Sequence, residues 1–133
     1  MKKMIYTGCF QDIKKYKQAG LVPISIAGYA PDDYKGIQFK TLAPKYNWWK
    51  EWHDKHLSNG WYRKKYQKTV LDKLNPQIIA NRLKFFGDNV VLLCYEKPGE
   101  FCHRQLVANW LRNAGVAICE YNATLCKDLL KVR

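Results

Sequence analysis

The residue types best suited to chemistry crowd into one short stretch: Cys94 and Glu96, then Glu100, then Cys102, His103 and Arg104 in succession. Three chemistries use such a set. In the first, Cys102 is a nucleophile whose thiol pKa is lowered by a neighbouring imidazolium or guanidinium. Adjacency counts against that pair, because successive helical positions point about 100° apart and cannot both face one ligand. Arg104 also follows Cys102 more closely than the arginine of a phosphatase loop follows its cysteine. In the second, Cys94, Cys102 and His103 are soft metal ligands and Glu96 a hard one. The chain has no Cys-x2-Cys pair, however, and the seven residues between Cys94 and Cys102 are not a usual finger spacing. Cys94 is expected to point into the core, so neither a metal nor a cofactor is expected.

The third chemistry fits best. His103 or Glu96 moves protons, while Arg104 and backbone N–H groups hold a phosphate or carboxylate. The expected catalytic residues are thus His103, Cys102 and Glu96. The expected ligand-binding residues are Arg104, with Lys45, Tyr66, Thr7 and Gly8 contributed by neighbouring elements. A plainer role competes with this one: Glu100 and Arg104 stand at i, i+4, an ordinary helix-surface ion pair worth a few tenths of a kcal/mol. Equally, Arg104 could tie the loop down through Glu96.

These residues need elements to hold them. Val90 to Tyr95 is an uninterrupted apolar run after Gly87-Asp88-Asn89, as in a strand covered on both faces. Pro98-Gly99 breaks it. From about Cys102, Leu106, Val107, Trp110, Leu111 and Ala114 fall at helical spacing, and Gly115 suits the helix end. Val116 to Cys119 resumes a strand, completing a βαβ unit whose first loop delivers the Cys-His-Arg tripeptide to the start of a helix. Open α/β sheets keep their ligand sites at this edge.

Upstream, strands are expected at Met4–Thr7 (ending at Gly8), Leu21–Ile26 and Gly36–Leu42, with a helix from Asp12 to Ala19 that Gly20 ends. If the strands are parallel, Thr7-Gly8, Gly28 to Pro31 and Ala43-Pro44-Lys45 open onto the same edge as the tripeptide. The middle of the chain reads as three helices. The first carries Trp48, Trp49, Trp52, His56 and Leu57 and ends at Ser58-Asn59-Gly60. The second runs from about Trp61 to Leu74, and the third restarts at Asn75-Pro76 with Ile78, Ile79, Leu83 and Phe86 as its buried stripe. The aromatic, basic segment from Lys45 to Lys73 could stack bases and meet phosphates, although rings at core spacing ordinarily pack helices. Ala123 to Arg133 reads as a short terminal helix.

Leu92-Leu93-Cys94-Tyr95-Glu96 followed by Phe101-Cys102-His103-Arg104 closely resembles the signature of domain-of-unknown-function family 488, a Leu-Cys-x-Glu strand end and then a Cys-His-Arg turn. Thr7-Gly8 is similar to the family's early strand-end motif. Ile24-Ser25, Leu42-Ala43-Pro44 and the Tyr66 to Val70-Leu71 spacing resemble its short bacterial and phage branch. The likeness covers roughly Tyr6 to Tyr121. Many members have Asp-Val-Arg after the second strand where this chain has Ile26-Ala27-Gly28, so no role for that acid or arginine transfers. The resemblance implies a compact α/β fold more than a reaction.

Length and composition bound the rest. At 133 residues and 47% hydrophobic, the chain suits a single α/β domain with a core, Rossmann-like in layering, over residues 1–133. Lys+Arg of 23 against Asp+Glu of 11 gives a net charge of +12, which suits phosphate-bearing ligands or nucleic acid. Five cysteines, an odd number, with Cys9, Cys94 and Cys119 in apolar runs, point to free thiols in the cytoplasm rather than a disulfide framework. No export signal or membrane span is expected. The function expected is an enzyme or sensor for a nucleotide or nucleic-acid component. The alternative is a non-catalytic nucleic-acid or protein-binding module in which the tripeptide only stabilises its turn.

Overall fold

The computed structural model describes residues 3–96 and 101–121. Its frame is one five-stranded sheet, all parallel, in the order β3-β2-β4-β1-β5. The strands are β1 (Met4–Cys9), β2 (Val22–Ser25), β3 (Ile37–Gln38), β4 (Asn89–Cys94) and β5 (Ile118–Glu120). Among the described residues, five α-helices flank them: α1 (Ile13–Gln18), α2 (Tyr46–Asp54), α3 (Asn59–Thr69), α4 (Pro76–Lys84) and α5 (His103–Asn113). This is the α/β, Rossmann-like architecture. The terminal helix expected over 123–133 lies outside the described residues, as does Glu100. Among the described residues, no helix is long and apolar enough to cross a membrane.

The central strand β4 is apolar throughout because it is covered on both faces. Val90 and Leu92 join Ile5, Ile24 and Ile118 in a large core against α2 to α5, while Val91 and Leu93 join Tyr6 in a smaller one against Tyr16 of α1 and Leu21. Each fully buried aliphatic side chain contributes roughly 1.5–3 kcal/mol relative to exposure. The helices α1 and α5 lie on opposite faces, as crossovers of one hand require when β1 leads one way to β2 and β4 the other way to β5.

Local chemistry sets the boundaries. Asn75 caps α4 by accepting from Gln77 N and Ile78 N, with Pro76 in the first turn. The left-handed turns at Gly20 (φ 84°) and Gly115 (φ 85°) end α1 and α5 where glycine is tolerated. Three expectations need correction. The strand over Gly36–Leu42 is only Ile37–Gln38, since Phe39 N still reaches Ser25 O at 2.7 Å but Lys40–Leu42 then winds into a 3-10 turn. Ser58 does not end α2; it caps α3, accepting from Trp61 N at 3.1 Å, and α2 stops at Asp54. The buried face of α4 is Ile79, Ala80 and Leu83, while Ile78 is 57% exposed.

Candidate functional site

The strand order decides where a crevice must be. From β2 the chain leaves outward to β3, and from β4 it leaves across β1 to β5, so the two connections diverge from neighbouring carboxyl ends. Divergence at adjacent strands opens a gap in the helical cover, where ligands bind in open α/β sheets. A cavity of about 250 Å³ lies there. Ala27, Gly28 and Tyr29 come to it from the end of β2, Cys94, Tyr95 and Glu96 from the end of β4, and Phe101, Cys102 and His103 from the start of α5. Pro44 before α2, Tyr46, Trp49 and Trp52 of α2 and Tyr62 of α3 also line it.

His103 is held rather than loose. Its ring is buried, with Tyr66 edge-on at 5.5 Å, and Nε2 stands 2.8 Å from the Ile26 carbonyl oxygen. A carbonyl only accepts, so Nε2 carries the proton and Nδ1 keeps its lone pair. Nδ1 lies 3.4 Å from Cys94 Sγ and 3.9 Å from Cys102 Sγ. Burial pushes the imidazole pKa down to about 4; the Ile26 carbonyl opposes this and the Arg104 guanidinium adds to it. His103 is therefore a neutral base at physiological pH. Glu96 Oε2 stands 3.2 Å from Cys94 Sγ at the edge of the same space.

Cys94 and Cys102 are joined as a disulfide, whereas the sequence pointed to free thiols. Periodicity is the reason: Cys94 shares the face of Val90 and Leu92, and that face looks onto the start of α5, where Cys102 is the N-cap residue. While the bridge is closed, Cys102 is no nucleophile. Cys9 and Cys119 stay as thiols.

The expected ligand-binding residues lie elsewhere. Arg104 is fully enclosed: Nε and Nη2 meet Glu120 at 3.1 and 2.9 Å, and Nη1 donates to the Glu96 carbonyl at 2.6 Å. It binds the ends of β4 and β5 together. Thr7 Oγ1 donates to the same Glu120 carboxylate at 2.6 Å, and Gly8 packs under the Tyr16 ring. Tyr66 donates to Leu42 O at 2.6 Å from a fully buried position, and Lys45 is exposed at the residue before α2. None of these five belongs to the cavity wall.

The sequence offers the Lys45–Lys73 rings for base stacking without dividing those of the core from those of the cavity, and it does not single out two cations. Trp48 faces the core, Trp49 lies on the next flank of α2, and Trp52, one turn beyond Trp48, lies between them; the last two line the cavity. That division was available from the turn angle between Trp48 and Trp49. Two exposed cations sit over wall rings, Lys40 Nζ 5.9 Å from Tyr29 and Arg63 Cζ 5.2 Å from Phe101. Outward along α2, Tyr46, Trp49 and His53 stack at 6.3 and 5.1 Å.

The model of the family described as the active DUF488-N3 subclade matches residues 11–115, most of the chain, and the chain belongs to that family. No curated protein and no solved structure matches it.

Proposed function

We propose that this member of the family is an enzyme acting on a nucleobase-bearing ligand, a nucleotide or a residue of a single-stranded nucleic acid, taken into the aromatic cavity. One observation carries the reading: a crevice at the divergence of β2 and β4, walled by Tyr29, Trp49, Trp52 and Tyr62, has a neutral histidine and a cysteine pair among its lining groups. Flat rings stack on flat rings, worth roughly 1–3 kcal/mol for each base. Glu96 is the group that would move protons on the ligand, joined by His103 through Nδ1 only while that nitrogen carries no metal. Phosphate would meet Lys40 and Arg63 at the rim, because the Arg104 guanidinium is already occupied by Glu120 and Glu96. The family's description as active favours turnover over passive binding.

The second reading, a non-catalytic nucleic-acid module, draws on the Tyr46-Trp49-His53 stack and the +12 charge. Quenching of tryptophan fluorescence by nucleosides, nucleoside monophosphates and short single strands separates the two. The enzyme reading expects saturable mononucleotide binding that Trp52→Ala removes and that salt weakens little, and conversion of the ligand that stops in His103→Asn. Binding of long strands alone, with a steep salt slope and no turnover, would favour the module.

A further inference from the structure

At the cavity floor, Cys94 Sγ, Cys102 Sγ and His103 Nδ1 all lie within 4.8 Å of one another, and all three residues are buried. Two elements supply them, the end of β4 and the first turn of α5, and both are fixed by the sheet and core without any ion. The hydrogen bond from Nε2–H to Ile26 O sets the tautomer and aims the Nδ1 lone pair at the two sulfurs. Metal-binding histidines are held in this way, the ring nitrogen away from the metal being bonded to a carbonyl or carboxylate. The Cα atoms of the two cysteines stand 7.1 Å apart, which leaves room for their sulfurs to part and admit an ion.

We propose that the reduced chain holds one zinc ion between Cys94 Sγ, Cys102 Sγ and His103 Nδ1, with the fourth coordination position open to the aromatic cavity. Two thiolates and a neutral imidazole are a soft donor set, which suits zinc and not magnesium or calcium. Charge agrees as well. A dication with two thiolates is neutral overall, and a neutral group suits a buried site. Three protein ligands and an open position are the pattern of a catalytic rather than a structural zinc. Glu96, beside Cys94 at the cavity edge, is placed to take a proton from water on that position.

The disulfide and the metal exclude each other. A dithiol reductant gives the bridge two electrons and two protons, opens it to two thiols and leaves as its own disulfide. Zinc then displaces both thiol protons to solvent. The cavity thus has a metal-free oxidised form and a metal-loaded reduced form. This inference does not depend on which ligand the cavity takes, because zinc alone is the probe.

The test uses the full chain, reduced with a phosphine under anaerobic conditions and titrated with zinc against a chromophoric chelator, then with cobalt(II). The expected result is one ion per chain, release of two protons per zinc, and a sulfur-to-cobalt charge-transfer band of tetrahedral type. The oxidised chain takes none. Cys102→Ser and His103→Ala lose the tight site, while Cys119→Ser, on the edge strand β5, keeps it. Should Cys102→Ser fail to fold, the proton count and cobalt spectrum of the unsubstituted chain decide the matter without it. A reduced chain that takes up no zinc, or whose uptake survives Cys102→Ser, overturns the proposal and leaves a plain dithiol/disulfide pair.

Discussion

Arg104 grips Glu120 at two points, Nε to Oε1 at 3.1 Å and Nη2 to Oε2 at 2.9 Å, from a position with no solvent exposure. A further bond, Nη1 to Glu96 O at 2.6 Å, and the Thr7 hydroxyl on Glu120 make a net joining β1, β4 and β5 at the carboxyl edge. An enclosed cation depends on such partners, because removing one side of a buried pair strands the other. Arg104→Gln is expected to lower stability by about 3 kcal/mol in urea unfolding, and Glu120→Gln by less, since that carboxylate is one-third exposed. An Arg104→Gln chain that melts with the parent would show that the net does not hold the edge.

Gly8 is set by space rather than by backbone angle. A Cβ there would fall 2.5 Å from Cζ of Tyr16, and that ring cannot swing away cheaply because it is buried and its hydroxyl accepts from Cys9 N at 3.0 Å. Gly8→Ala is expected to cost about 1–3 kcal/mol by overpacking. The double change Gly8→Ala with Tyr16→Leu should cost less than the sum of the single changes, which thermal melts of the three variants would measure.

Sequence legibility followed how local each interaction is. β4 and α5 were readable because an unbroken apolar run and a 3.6-residue period are written within a few neighbours. Alternating Ile37, Phe39 and Thr41 suggests a strand over Gly36–Leu42 but fits equally two strand residues followed by a 3-10 turn, with Phe39 and Leu42 buried. His103 stood out by type and position. Arg104 suggests a ligand contact by type and position, since no local pattern shows that its carboxylate comes from Glu120, sixteen residues on and on another strand. Cys94 is buried on the face of Val90 and Leu92, as its apolar run implies, but no local pattern shows that this face meets Cys102 at the start of α5.

The buried tyrosines give the fold an alkaline limit. Desolvation raises the Tyr16 and Tyr62 hydroxyls well above their usual value, with the Cys9 N–H partly opposing this at Tyr16. In the unfolded chain they ionise near pH ~10. A folded pKa above the unfolded one means that the stability is fully present below about pH 10 and is lost as pH rises beyond it. Melting temperature is expected to hold to that point and then fall. Tyrosinate absorbance from these two rings should appear only with unfolding, and its appearance while the near-ultraviolet dichroism stays native would refute the assignment.

The turn closing α2 places a non-glycine residue in the left-handed region, His56 with φ 52°. Leu57 N reaches back to Trp52 O at 3.0 Å and His56 N to His53 O at 3.4 Å, the paired bonds of a Schellman ending. Such an ending wants glycine, since a Cβ in that conformation costs roughly 1–2 kcal/mol. Glycine's greater freedom in the unfolded chain offsets part of the gain. His56→Gly is therefore expected to stabilise by about 0.5–1 kcal/mol, and His56→Val to destabilise, β-branching being the least tolerated there. Urea midpoints at constant slope would measure both, and a His56→Gly chain less stable than the parent would show that the imidazole contributes more to this turn than its backbone angle costs.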